Sequence, residues 1–184
     1  ILMRSPKGKT KIFEDTLTRF GIPCYIDYKT SNFDAIEIKC LLDYLKIIDN
    51  QNQDEALIGA MSSVFGNFDN EELIRIREEF PDYEFYEAAK AYAKLENDLS
   101  AKLNGFFERL NEDIRLERMM SLDDFLWTVT ENRGYSAYIG SLDNAEQRLH
   151  NIKTFIGKAR EYEQSESRGL FGFLRQVHSL LREK

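Results

Sequence analysis

Residues 34–50, DAIEIKCLLDYLKIIDN, decide the fold. Ile36, Cys40, Leu41, Tyr44, Leu45 and Ile48 return at intervals of three and four. That spacing gathers them on one face of an α-helix, whereas a strand would alternate them. The same period continues downstream. A short helix is expected from about Asp54 to Met61, and SSVFGNF (62–68) breaks it. Asp69 followed three positions later by Glu72 is a capping-box signal for the next helix, and Pro81 separates that helix from an aromatic one holding Tyr83, Phe85, Tyr86 and Tyr92. A long helix is expected from about Leu95 to Arg118. Ser121 with Asp124 caps another, which carries Leu122, Phe125, Leu126 and Val129. NRGYSAYIGSL (132–142) reads as a turn region. Two further helices follow over about Asp143–Glu163 and Gly169–Arg182, the last with Leu170, Leu174, Val177 and Leu181 along one stripe.

Upstream of residue 33 the pattern is different. Ile1–Met3 reads as a buried strand, Ser5-Pro6-Lys7-Gly8 as a turn, and Lys9–Phe20 as a helix with Ile12, Phe13, Leu17 and Phe20 on one face. Gly21 is its expected C-terminal stop, and Pro23–Asp27 is a second short strand. The opening residues look like the interior of a strand, so the expectation is a piece of a longer chain. The expected organisation is a mainly α protein. Residues 1–32 form a small β-α-β piece of a larger sheet, and residues 33–184 form a helical domain.

Composition agrees with a helical body. Only three prolines interrupt 184 residues, so few breakers oppose long helices, and a chain of this length can bury a substantial core. The formal net charge of −7 argues against a free-standing, strongly basic nucleic-acid binder. The charge is uneven: the segment from Asp34 to Asp98 is acidic, while the first thirty residues and the stretch from Arg148 onward are basic. Cys24 and Cys40 sit in apolar patterns and form no C-x-x-C pair, so both are expected as reduced core thiols. No stretch approaches the roughly 18 apolar residues of a membrane span.

Several chemistries find no support. Gly8-Lys9-Thr10 resembles the end of a P-loop, but the glycine required five positions before Gly8 is replaced by Met3. His150 and His178 form no metal-binding pair, and no G-x-S-x-G elbow occurs. Runs such as Glu71-Glu72 and Glu78-Glu79 read as solvated helix faces. The aromatic group at 83–92 could stack bases, but packing between helices explains it more simply. The basic turn is the better candidate. Arg4, Ser5, Lys7 and Lys9 lie where a strand ends and a helix begins, and a helix N-terminus with charged donors suits phosphate; on chemistry alone an ordinary exposed turn with solubilising lysines explains them at least as well.

Several stretches resemble one family. ILMRSPKGKTKIFEDTLTRFGIPCY (1–25) is similar to the segment of UvrD/Rep-type superfamily I DNA helicases that opens the second part of the 2A motor domain, a RecA-like fold. FDAIEIKCLLDYLKIIDNQNQD (33–54) resembles its continuation into the helical 2B accessory domain. The resemblance is stronger to the A subunit of AddAB-type ATP-dependent helicase/nucleases. It runs through SVFGNFDNEEL (63–73), EFYEAA (84–89), SLDDFLWTVTENRGYSAYIGSLDNAEQRLHNI (121–152) and AREYEQSESRGLFGFLRQV (159–177), and so covers almost the whole chain.

The resemblance implies a segment lying between motor motifs: the ATP-binding motifs precede it and the next motor motif follows it. No catalytic residue, cofactor or metal is therefore expected here, and ATP and magnesium belong to the parent protein. Arg4 and Ser5 match a turn that touches the translocating single strand in such helicases, with Pro6 at the position of their Asn. Ser63-Val64-Phe65-Gly66-Asn67 matches the first 2B turn, which approaches duplex DNA through backbone amides. Here the turn lacks its proline, and Asn67 stands where Gly is expected; Asn tolerates left-handed backbone. The DNA-contacting residues expected are Arg4, Ser5, Ser63, Gly66 and Asn67 from the resemblance, with Lys7 and Lys9 added from the chemistry of the basic turn. Arg148 and Arg168 are expected in helix packing or salt bridges. The implied role is a DNA-guiding segment, without ATPase activity of its own, in a cytoplasmic helicase/exonuclease that acts in double-strand break repair and recombination. Its implied partners are a single-strand/duplex junction and a nuclease partner subunit. The alternative is a helical scaffold that contacts the nuclease subunit or the motor domains and touches no DNA. An independent hydrolase has no motif behind it.

Overall fold

The computed structural model describes residues 13, 16, 17, 19–22, 33–165 and 169–182. The chain divides into two compact units, Ile1–Ser31 and Asn32–Lys184.

In the first unit, Phe13, Thr16, Leu17 and Arg19 are helical. The helix ends as its sequence predicts. Gly21 takes φ 67°, and the Ile22 N–H donates to the Leu17 carbonyl at 3.0 Å, the six-to-one bond of a glycine-terminated helix. The expected strands Ile1–Met3 and Pro23–Asp27 lie outside the described residues. So do Cys24 and the turn bearing Arg4, Ser5, Lys7 and Lys9, so the β-α-β arrangement stays an expectation.

The second unit is a helical assembly. Its helices are α1 (Ile36–Asp49), α2 (Asp54–Ser62), α3 (Asn70–Glu79), α4 (Phe85–Tyr92), α5 (Asp98–Glu117), α6 (Leu122–Asn132), α7 (Tyr135–Gly140), α8 (Ala145–Gln164) and α9 (Leu170–Arg182). All regular structure among the described residues is helical. Helix α1 lies at the centre and packs against α2, α5, α8 and α9. It is buried on more than the one face read from its sequence: Ile38, Leu41, Leu42, Tyr44, Leu45, Ile47 and Ile48 are all in the core. Ile36, expected on that face, is instead 65% exposed. It points away from the core in the first turn, where its neighbours Glu37 and Ile38 are buried.

Side-chain caps mark the starts of three helices. Asp69 and Glu72 form the expected reciprocal box, with the Glu72 N–H donating to Asp69 Oδ1 at 2.8 Å and the Asp69 N–H donating to Glu72 Oε2 at 2.9 Å. Asn97 and Ser100 make a second box at the start of α5, and Ser121 caps α6. Each box satisfies helix amides that would otherwise lack partners. One reading is corrected. The segment 132–142 is not simply a turn, because it contains α7, whose Tyr135 and Ile139 are fully buried four residues apart.

Two buried carboxylates tie the bundle together. Glu37 on α1 is 4% exposed and accepts from Arg148 Nη1 at 3.0 Å and Asn151 Nδ2 at 2.6 Å, both on α8. The Tyr135 hydroxyl donates to the Glu37 carbonyl. Asp113 on α5 is 1% exposed and accepts from Tyr44 Oη at 2.6 Å and from Arg133 Nε and Nη2 at 2.9 and 2.6 Å. Arg148 thus has the salt-bridge role expected of it, while Arg168 lies outside the described residues.

Candidate nucleic-acid interface

The turn after α2 can be built residue by residue. Ser63 extends the chain at the helix end, with its hydroxyl donating to the Ala60 carbonyl at 2.6 Å and accepting from the Phe65 N–H at 3.2 Å. The Gly66 and Asn67 amides both donate to the Ser63 carbonyl, at 3.2 and 2.6 Å, and the Phe68 amide donates to the Met61 carbonyl at 2.8 Å. Asn67 adopts φ 56°, the left-handed geometry that its amide side chain tolerates. A glycine is therefore not required there.

Gly66 is different. A Cβ at this position would lie 2.4 Å from the Met61 carbonyl oxygen and 2.5 Å from its Cα, both backbone atoms that cannot swing aside. Gly66→Ala should cost about 1–3 kcal/mol. Gly140→Ala, whose Cβ meets nothing within 4 Å, should stay within about 0.5 kcal/mol of the parent. Urea denaturation of the two variants checks this pair of outcomes.

Phe65 and Phe68 point inward from the same turn. The Phe65 ring stacks on Tyr44 at 4.1 Å and 3° and on Tyr135 at 4.9 Å and 18°. Phe68 meets Phe106 edge-on at 5.8 Å, and Lys102 Nζ lies 4.6 Å from the Phe68 ring centroid while bridging to Glu72. These contacts rigidify the turn. They also decide what it can offer a ligand: the amides of residues 65–68 are satisfied inside the turn, and Gly66 is buried. What faces outward is the Asn67 side chain and, in part, Ser63. A phosphate contact here would run through side chains, unlike the amide contact implied by the resemblance.

Beside the turn lies a cleft of about 400 Å³ between α1, α2 and α7. Ser62, Ser63 and Val64 line it together with Ile36, Lys39 and Tyr138. Lys39 is exposed and supplies positive charge at its edge. Cys40 opens onto the same cleft half-buried, and burial pushes its thiol above the ordinary range, so it stays protonated and weakly nucleophilic at neutral pH. It is a free thiol, less deeply buried than expected. Burial also raises the Tyr44 and Tyr135 phenols, with the Asp113 carboxylate adding to the effect at Tyr44. Both remain neutral donors to their carboxylate and carbonyl partners.

Sequence reasoning found the Ser63–Asn67 turn but missed Lys39, an ordinary helix lysine until α2 and α7 fold beside it. Of the candidate residues, Ser63, Gly66 and Asn67 form one turn, while Arg4, Ser5, Lys7 and Lys9 lie outside the described residues. The 83–92 aromatics divide: Phe85 and Tyr92 are core, Tyr86 is half-buried against Phe107, and Tyr83 is exposed beside Phe80. Among the described residues, no cluster of His, Cys, Asp or Glu is arranged to hold a metal ion, and no helix is long and apolar enough to cross a membrane.

The described residues from 33 onward form a helical bundle around a buried central helix, with the Ser63–Asn67 turn at its edge. Residues 1–183 match the UvrD-like helicase C-terminal domain, and the chain belongs to that family. It is similar along its whole length to the A subunit of the ATP-dependent helicase/nuclease of Alkaliphilus oremlandii, with 34% identity over 185 residues, covering 100% of this chain and 16% of that protein. The protein of the same name from Oceanobacillus iheyensis is 36% identical over 183 residues, and that from Syntrophomonas wolfei 34% over 187. Each match covers 98% of this chain and 15% of the relative. The chain therefore spans about one-sixth of the length of these relatives.

Proposed function

We propose that these residues form a DNA-guiding accessory segment of an ATP-dependent helicase/exonuclease that acts in double-strand break repair and recombination in the cytoplasm. In this reading ATP and magnesium are handled elsewhere in the protein, and this segment performs no chemistry of its own. The observation that supports it is the similarity, along the whole chain, to helicase/nuclease A subunits. The DNA contacts proposed are Arg4, Ser5, Lys7 and Lys9 in the basic turn, with Ser63 and Asn67 in the turn after α2, where the buried Gly66 holds the turn's shape and makes no contact. The first group supplies charge-assisted bonds to phosphate. The second shapes a rigid edge from which the Asn67 side chain projects.

The test is anisotropy of a labelled single-strand/duplex junction titrated with the chain across a salt series. Binding should weaken with salt, with a log–log slope of about 0.9 per phosphate contact. Arg4→Glu/Lys7→Glu should reduce affinity at least about tenfold and flatten that slope. Binding that is unaltered in the double variant would remove the basic turn from the interface.

A second reading is favoured by one observation. The amides of residues 65–68 are already satisfied within the turn, which suits a protein-contact scaffold touching a nuclease partner or the motor domains. Absence of junction binding, with the fold intact, would select this scaffold reading.

A further inference from the structure

Helix α9 carries more apolar surface than its core packing uses. Leu170, Phe173 and Val177 form its buried stripe, each no more than 3% exposed. A second stripe, Phe171, Leu174 and Leu181, lies beside the first, and Phe171 is 59% exposed. The sequence reading placed Leu174 and Leu181 on one stripe with Leu170 and Val177; both are only half-buried, because they face a groove. That groove, about 640 Å³, runs between α9 and α1, with Leu42 contributing to its floor. Its α1 wall extends from Lys39 to Asp49, which at about 1.5 Å per residue gives roughly 15 Å, the length of about three helical turns.

The rim is cationic. On the α1 side Lys39 and Lys46 alternate with Asp43 and Asp49, and on the α9 side stand Arg175, His178 and Arg182. Four cations less two carboxylates give +2 with His neutral, on a chain whose formal charge is −7. Lys46 is bridged to Asp43 at 2.7 Å, and the Arg175 guanidinium lies 5.8 Å from the Phe171 ring centroid. An apolar floor three turns long, with a balanced α1 edge and a positive α9 edge, is complementary to a helix with one apolar face and an acidic flank. A nucleic-acid strand fits less well, since the floor offers one aromatic ring for stacking and is otherwise aliphatic.

We propose that the α1/α9 groove docks an acidic amphipathic helix of a protein partner. The proposal rests on the scaffold reading and supplies its surface and the partner's chemistry. The test uses the whole chain and a fluorescein-labelled helical peptide of about 14 residues, roughly four turns, with Leu on one face and Glu on the others. A matched peptide with Lys for Glu and an oligo-dT of similar length are the competing probes. The acidic peptide should bind at least about tenfold more tightly than the basic one. Lys39→Glu/Arg175→Glu, both on the surface, should weaken it about tenfold, and the charge-preserving Lys39→Arg/Arg175→Lys should restore it. Phe171→Ala should also weaken it with an unchanged circular dichroism spectrum. No binding of the acidic peptide, equal binding of the basic one, or displacement by oligo-dT would each overturn the groove assignment. The scaffold reading is decided separately by the junction titration, so the two failures are distinguishable.

Discussion

Replacing Arg133 with Met should lower the unfolding free energy by about 3–5 kcal/mol, because removing one partner of a buried ion pair leaves the other charge uncompensated. For a chain of this size that corresponds to a drop in melting temperature of roughly 10 °C. Asp113 is 1% exposed and keeps a bond from Tyr44 alone once the guanidinium is gone. The guanidinium makes two bonds to this carboxylate, a third to Glu112 at 2.7 Å and a fourth to the Arg109 carbonyl at 3.2 Å. Its loss therefore unties the start of the α7 segment from α5. The pairing also holds Glu112 below the usual carboxylate range, through its hydrogen bond with Arg133. If the cost comes from the stranded charge, adding Asp113→Asn to Arg133→Met should recover about half of it. Urea denaturation followed by far-UV circular dichroism measures all three proteins. A loss below about 1 kcal/mol in the single variant would mean that Asp113 is not held as a buried anion.

The contrast between these anchors and the rest of the fold shows what a linear sequence can carry. Periodicity located the long helices because a 3.6-residue repeat is local information, and the Asp69–Glu72 box was legible because both partners lie within one turn. The short helix α7 was not. It is six residues long, bounded by Gly134 and Gly140, and holds one apolar pair, too little for a period to register. Glu37 and Asp113 were illegible for another reason. A carboxylate on a helix reads as a solvated face unless its cation is known, and Arg148 lies 111 positions from Glu37. The family-like string Gln-Arg-x-x-Asn at residues 147–151 proves to be the clamp on that buried acid. The turn after α2 was located by its residues, and the tolerance of Asn67 for left-handed backbone was readable from its side chain. The inward assignment of its amides depends on the path of the chain between Met61 and Phe68, which no residue type announces.

Phe65→Ala should be the most damaging change in that turn, at about 3–5 kcal/mol. The ring is 5% exposed and lies between Tyr44 and Tyr135. Each tyrosine is itself fixed, Tyr44 to Asp113 and Tyr135 to the Glu37 carbonyl. The Phe65 ring therefore joins the turn to both polar anchors of the bundle, and its removal opens a cavity where three aromatic rings had packed. Phe65→Leu keeps much of the volume and should cost less, about 1–2 kcal/mol. Hydrogen exchange then separates two origins of the loss. Faster exchange confined to the amides of residues 65–68 would place the cost in the turn, whose internal bonds depend on the anchored ring. Faster exchange extending into α1 and α7 would place it in the aromatic stack, with the turn merely following. The first pattern is expected, because Tyr44 and Tyr135 retain their hydrogen bonds without Phe65, whereas the turn loses its largest buried group. A loss below about 1 kcal/mol would instead show that Phe68 and the Ser63 carbonyl bonds hold the turn unaided.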